Sequence, residues 1–383
     1  MPYTGKTTHA GGSTLPELME DVADLVAVLS PGETPLLDAL GDPGRVARSV
    51  LHEWMEDAAL PDSDVIDIAN STTSFAMTNG DRFRVGDQLR AIVSGAATGE
   101  VMLVTAISAD TITVSRGYGG STVGADPSDG DTFQILGNAA IEGADAGEPR
   151  FSVRTRQSNV TQIFTSTISL SGTEQAVRQA GVADELEYQK AMRLRECLAD
   201  LEKSVINGVQ STVAQLGDDS NARTLRGIIP SITTNVFTPG ANGFPAGTSI
   251  TEDALNQALR EIWETGGTGV DLIVVGGRQK RAINSFIASN RRFYPQSETY
   301  KDVVSVYESD FGVCRVVMSR HVPQGTAMLL DSSRISVLPL SGRSFGYQTL
   351  AKTGDHTLGQ IVGEYTVEVR NEAAHGIITG LAA

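Results

Sequence analysis

The spacing of apolar residues changes several times along this 383-residue chain, and each change predicts a different element. Leu15, Leu18, Met19, Val22 and Leu25 recur at helical spacing behind Thr14-Leu15-Pro16-Glu17, where a cap threonine is followed by a glutamate three residues on. Ser30-Pro31-Gly32-Glu33-Thr34-Pro35 breaks the chain before Leu36 to Leu40, so residues 1–45 are expected to form an arm with two short helices. Val46 to Ala59 and Arg150 to Thr165 read as extended, with Arg154, Arg156 and Gln157 interleaved among Val153, Val160 and Ile163. They are expected to pair as one long hairpin, assigned to 46–75 and 138–170. Between them, over 76–137, short β-branched runs at Arg84–Asp87, Glu100–Ile107, Thr111–Ser115 and Asp131–Leu136 alternate with turn residues such as Asn79-Gly80 and Ser94-Gly95. That texture predicts an inserted small antiparallel sheet or barrel.

The strongest helical pattern follows. Residues 183–210 hold no proline, and no glycine before Gly208; Leu186, Met192, Leu194, Cys197, Leu198, Leu201, Val205 and Val209 mark one face. A helix of that length spans about 40 Å, more than a small core needs. Its acidic start, Asp184, Glu185 and Glu187, suits the helix dipole. Residues 226–345 read as a mixed α/β unit. A helix capped by Ser249-Ile250-Thr251-Glu252 runs to about Glu264, a buried strand covers Asp271–Val275, a second helix covers Arg278–Ser289, and strands follow at Val313–Met318, Ala327–Leu330 and Ile335–Leu340. Residues 346–383 return to strand alternation, as in Tyr365 to Arg370, and are grouped with 171–225. The fold class expected is α+β.

Charge sharpens this division. The net charge is −16, but residues 1–75 carry 13 acids against 3 bases and residues 76–150 carry 10 against 5, whereas the rest is nearly balanced. No general basic surface for wrapping nucleic acid is expected. The acidic first part reads as solvated, or as meeting a basic partner. Two cysteines and five histidines leave neither a disulfide framework nor a Cys/His zinc site. No signal-peptide pattern starts the chain, and the longest apolar run, Leu272 to Val275, is of strand length.

The motifs carry little chemistry. Gly5-Lys6-Thr7 matches only the end of a phosphate-binding loop and is read as plain terminus. His52-Glu53-Trp54-Met55-Glu56 lacks the second histidine of a zincin and is expected to be a strand whose Trp54 anchors packing. Gly342-Arg343-Ser344-Phe345-Gly346 fits the nucleophile-elbow pattern, with Asp355 and His356 or His375 as nominal partners. Strand-like sequence follows where that motif needs a helix, so a serine hydrolase using Ser344 is the least favoured reading. Arg278, Lys280, Arg281, Arg291 and Arg292 form a basic cluster beside Phe286, Phe293 and Tyr294, read as a solvated face that meets an acidic neighbour. No catalytic residue, cofactor or metal is expected, and the chain is not read as an enzyme.

The order of parts resembles the major capsid proteins of tailed bacteriophages, of the Hong Kong 97-type fold. The carrying segments are Ser30-Pro-Gly-Glu-Thr-Pro-Leu-Leu-Asp-Ala-Leu, His52-Glu-Trp-Met-Glu-Asp, Ser171-Gly-Thr-Glu-Gln-Ala-Val, Tyr307-Glu-Ser-Asp-Phe-Gly, Leu350-Ala-Lys-Thr-Gly-Asp and Gly363-Glu-Tyr-Thr-Val-Glu-Val-Arg-Asn-Glu-Ala-Ala-His-Gly. The resemblance implies an N-terminal arm at 1–45, an E-loop at 46–75 and 138–170, an inserted β module at 76–137, a peripheral domain with a spine helix at 171–225 and 346–383, and an axial domain at 226–345. It also implies hexamers and pentamers that close into an icosahedral virion head around double-stranded DNA, assembled in the host cytoplasm. The partners it implies are other copies of the chain, packaged DNA, a portal and a decoration or cement protein. Glu17, Glu20, Asp21 and Asp24 of the arm, Trp54, and Arg278, Arg281, Arg291 and Arg292 are the expected subunit contacts. Some relatives crosslink a lysine to an asparagine; Lys6 and Lys190 are not placed for it, so no crosslink is expected. A non-viral shell of the same fold, enclosing protein cargo, is the alternative.

Overall fold

The computed structural model describes residues 34–57, 61–139, 142–143, 154–176, 184–266, 269–289, 306–352 and 354–382. A short helix, α1 (Pro35–Leu40), precedes β1 (Leu51–Glu56). Six strands follow: β2 (Ser63–Ala69), β3 (Ser74–Met77), β4 (Asp87–Val93), β5 (Ala96–Ser108), β6 (Thr111–Ser115) and β7 (Thr132–Asn138). They close into a barrel in the order β2-β3-β6-β5-β4-β7, every pair antiparallel. Alternate residues point inward: Leu89 and Ala91, Met102 and Val104, Ile112 and Val114 fill it around Phe75 and Phe133, whose rings meet edge-on at 5.0 Å. Residues 55–156 group as one compact unit and the rest of the chain as another.

Two expectations change here. β2 and β3 were read as hairpin, but they are barrel strands: closure needs them between the edges of β6 and β7, which open ends would leave unpaired. Arg84–Asp87, read as strand, is mostly a turn; Asp87 accepts the Arg84 backbone N–H at 2.6 Å, and β4 starts only at Asp87.

Beyond the barrel, β8 (Thr155–Val160) pairs with β1 as a two-stranded ribbon. The remaining elements, in order, are β9 (Gln162–Ser171), α2 (Gly172–Ala176), α3 (Glu185–Asn207), α4 (Ile228–Ser231), β10 (Val236–Phe237), α5 (Glu252–Gly266), β11 (Leu272–Val275), α6 (Gly277–Ser289), β12 (Val306–Ser309), β13 (Gly312–Met318), β14 (Ala327–Leu330), β15 (Ile335–Pro339), β16 (Gly346–Thr349), β17 (His356–Val369) and β18 (Gly376–Ile378). β9 was expected to continue the hairpin. It instead pairs with β17 over ten residues, from His356↔Ser171 to Tyr365↔Gln162.

A six-stranded sheet runs β10-β18-β14-β11-β13-β12, with β11 parallel to β13 and antiparallel to β14. β11 is buried on both faces, which explains its unbroken Leu272-Ile273-Val274-Val275. Ile273 and Val275 pack with Leu255, Ala258, Leu259 and Ile262 of α5, while Leu272 and Val274 join Leu36 of α1 and Leu201, Val205 and Ile206 of α3. The α5 cap is Thr251, whose hydroxyl accepts the Ala254 N–H at 3.2 Å, two residues later than the serine expected.

The second sheet is built on β17, with β9 on one edge and β15 and β16 sharing the other. α3 is shorter than the 183–210 expected. Asp184 is its cap, accepting from the Leu186 and Glu187 N–H groups, and Gly208 ends it where Gly227 packs against the backbone, the Gly227 N–H donating to Gly208 O at 2.7 Å. Its buried residues, Cys197, Ala199, Leu201, Glu202, Val205 and Ile206, all lie in its C-terminal half. Among the described residues no helix is long and apolar enough to cross a membrane.

Candidate assembly surface and the charged seam behind it

β17 has two buried faces of opposite character. Val367 and Val369 enter the core shared with α1 and α3. On the other face Glu364, Thr366 and Glu368 are at most 2% exposed. Glu364 accepts from the Thr161 hydroxyl at 2.6 Å and from Arg223 at 2.5 Å, with Arg343 at 2.8 Å. Glu368 meets His52 at 3.0 Å, Arg370 at 3.0 Å and Arg45 at 3.5 Å. Burial alone pushes both carboxyls up, but the Thr161 and Arg223 bonds at Glu364, and the His52 bond with Arg45 and Arg370 at Glu368, outweigh it and hold both below the usual range.

This seam fixes the base of the ribbon. His52 comes from β1; Asn159 at the end of β8 donates to Val367 O and Arg226 O, both at 2.8 Å, and Thr366 donates to Val160 O at 3.0 Å. Farther out, Met55 is exposed and Trp54 is half-buried, with its ring 5.8 Å from that of His52. His52-Glu53-Trp54-Met55-Glu56 is thus strand β1, and its histidine holds a carboxylate, not a metal. Among the described residues no cluster of His, Cys, Asp or Glu is arranged to hold a metal ion.

Two more polar centres, one half-buried and one buried, tie down loops. Glu372 accepts from the Thr233 and Thr234 N–H groups at 2.9 and 3.2 Å. His375, fully buried, accepts the Asp331 N–H at its Nδ1 at 3.1 Å, and burial drives its pKa down to about 4. Within the barrel, Glu100 receives Arg116 in a two-pronged pair at 2.9 and 2.7 Å, plus the Gly117 and Gly124 N–H groups at 3.1 and 2.8 Å. That pair holds the glycine-rich connection between β6 and β7 in one shape.

The serine motif is a turn, not an elbow. Ser344 is exposed, strand β16 follows it, and His375 is committed to Asp331. Its neighbours work structurally: Arg343 reaches Glu364, and the Phe345 N–H donates to the Tyr365 hydroxyl oxygen at 3.3 Å. Arg278 and Arg281 are exposed on α6. Arg291 and Arg292, with Glu17, Glu20, Asp21 and Asp24, lie outside the described residues. Exposed aliphatic and aromatic side chains instead stand out at Val209, Val213 and Leu216 after α3, at Trp263 on α5, and at Val306 and Val313 on β12 and β13. Sequence reading missed the seam, although Glu364, Thr366 and Glu368 alternate with Tyr365, Val367 and Val369 in a strand-like segment and so share one face.

The fold matches the capsid of an empty GTA particle over 100% of both chains, with a TM-score of 0.53 at 12% identity. A Microbacterium phage Oxtober96 structure aligns over 78% of this chain and 87% of its own, at 12% identity and TM-score 0.45. The holo-SrpI encapsulin complex of Synechococcus elongatus aligns over 60% and 78%, at 9% identity and TM-score 0.43. No curated protein matches the chain in sequence. The long helix α3, the β17 sheet, the α/β unit and the ribbon are those of the Hong Kong 97-type capsid fold, α+β, carrying here an inserted six-stranded barrel. Its class is the structural shell protein. The SU10 major capsid protein family matches residues 3–382, and the chain belongs to it. That family and fold are structural and make the chain a major capsid protein of a phage-type shell.

Proposed function

We propose that the chain is the repeating subunit of an icosahedral virion head, assembled as hexamers and pentamers around packaged double-stranded DNA. The family match over residues 3–382 carries this reading, because it takes in core, ribbon and barrel together. Physical features support it. A two-stranded ribbon is marginal by itself in water, and β1 and β8 form one whose base is bonded to the seam. A neighbouring subunit laid under it adds support, as the arm at 1–45 does in the other direction. In this reading β1 and β8 belong to the E-loop, strands β2 to β7 are the inserted module, β9 joins 171–225 and 346–383 in the peripheral domain, and 226–345 is the axial domain. Trp54 and the acidic and basic residues Glu17, Glu20, Asp21, Asp24, Arg278, Arg281, Arg291 and Arg292 are its contact residues.

The net charge of −16 gives DNA no tight hold, which suits a lining that must release its genome. DNA is then a non-specific partner, with a portal and a decoration protein as further ones, and assembly takes place in the host cytoplasm. Electron microscopy of the purified protein is the test. Uniform closed shells with five- and six-fold capsomers, and nucleic acid in natively isolated particles, are the expected result. A monodisperse monomer or dimer rejects the reading, and closed shells holding protein cargo without nucleic acid favour a compartment instead.

A further inference from the structure

Helix α1 closes locally at Gly41, whose N–H donates to Leu37 O at 2.9 Å, but its first free donors and its Ala39 carbonyl are met by residues far away in sequence. Thr34 makes no side-chain cap bond, and Pro35 has no N–H to satisfy. The next two donors, the Leu36 and Leu37 N–H groups, both end on Oε2 of Glu202, at 3.2 and 3.4 Å. Glu202 lies on α3 and is fully buried; its other oxygen accepts the Ser319 hydroxyl at 2.7 Å. At the opposite end Arg315 of β13 donates to Ala39 O at 3.1 Å. Each cap has the sign that the helix dipole favours, negative at the start and positive at the end. Between them Leu36 is fully buried against the α3 core.

The origin of the caps decides what α1 can do. A local cap at position 34 would support the helix wherever it lay. A six-residue helix is too short to hold its shape alone, so with its N-terminal donors met only by a carboxylate elsewhere in the fold it is helical only while docked. The geometry points to α1 as a fold-on-docking latch, with Glu202 as the positioning residue that fixes where the N-terminal arm joins the body and Arg315 as its second support. The docking stands by itself; its consequence, that an undocked α1 misdirects the arm between subunits, rests on the shell reading above.

The test is hydrogen exchange on the full-length unassembled chain, followed by mass spectrometry. In Glu202→Ala, amides of residues 34–40 are expected to exchange at least about tenfold faster, while those of β11 and β14 stay within about threefold of the native chain. Glu202→Gln keeps an acceptor oxygen and is expected to restore protection, and Arg315→Ala to give a smaller rise confined to the same peptide. Equal acceleration of β11, β14 and residues 34–40 makes Glu202 an ordinary core residue and overturns the inference, as does unchanged exchange at 34–40. Assembly of the same proteins separates the two readings. If the native chain forms shells and Glu202→Ala forms only capsomers or irregular particles, both stand; shells from Glu202→Ala as regular as native ones overturn the assembly role of the latch; no shells from the native chain overturns the capsid reading and leaves the exchange result to judge the latch.

Discussion

His375 and Glu368 show how single buried groups make this fold sensitive to acid by different routes. His375 is held neutral at its Nδ1 bond to Asp331, with a pKa of about 4 against 6.5 in an open chain. As pH falls through 6.5 the unfolded chain takes up a proton that the folded chain refuses, so stability drops until pH reaches about 4, by roughly 3 kcal/mol in all. Glu368 and Glu364, held below 4.5, act lower: their contribution is present above 4.5 and is lost as pH falls through the folded value. His375→Gln retains an acceptor for Asp331 and should flatten the stability slope between pH 6.5 and about 5 while leaving the steeper loss at lower pH. Urea midpoints of the unassembled chain across pH decide it; an unchanged slope in the variant would place the titration elsewhere. None of this was legible beforehand. Glu364 and Glu368 in a strand-like sequence look like surface residues until Arg223, Thr161 and Arg45, far off in the chain, are seen to meet them.

At the scale of elements, the sequence was readable wherever one residue pattern decides the structure. β11 and β6 announce themselves through β-branched runs, β14 through its unbroken apolar run, and α5 through its period. It was unreadable where pairing is settled by distant partners: β2 and β3 look like any extended chain until barrel closure claims them, and β9 until β17 does. The β16–β17 pair shows such a distant constraint. Gly359 and Gly363 lie under Tyr347 and Phe345; a Cβ at Gly363 would sit 2.4 Å from Cδ1 of Phe345. That ring is packed between Tyr365, 4.9 Å away, and Phe164, 6.3 Å away, so it has little room to move. Gly363→Ala should therefore cost about 1–3 kcal/mol by overpacking. The cost should shrink in a Phe345→Ala background, giving a coupling above about 0.5 kcal/mol in a double-mutant cycle of denaturation midpoints. Strict additivity would show that the ring is not what excludes the side chain.

For the molecule as a whole, charge distribution carries the argument furthest. The first 150 residues hold 23 acids against 8 bases, whereas residues 151–383 hold 23 against 22. A subunit so divided repels its own copies if acidic parts meet, and attracts them if an arm of one copy reaches the body of the next. Residues 272–297 hold Arg278, Lys280, Arg281, Arg291 and Arg292 with no acid among them, and both Arg278 and Arg281 are exposed on α6. The α/β unit keeps its core on other side chains, Ile283 and Cys314 among them, so changing these arginines leaves the fold its apolar packing. Reversing Arg291 and Arg292 to glutamate, with or without Arg278 and Arg281, should then leave a folded subunit that fails to close shells. The defect should ease as salt rises from about 0.05 to 0.5 M, where like charges are screened within a few ångströms. Circular dichroism checks the fold and electron microscopy counts closed particles. Normal shells from the reversed variant at low salt would mean that the arm's acids are met elsewhere, or by water alone.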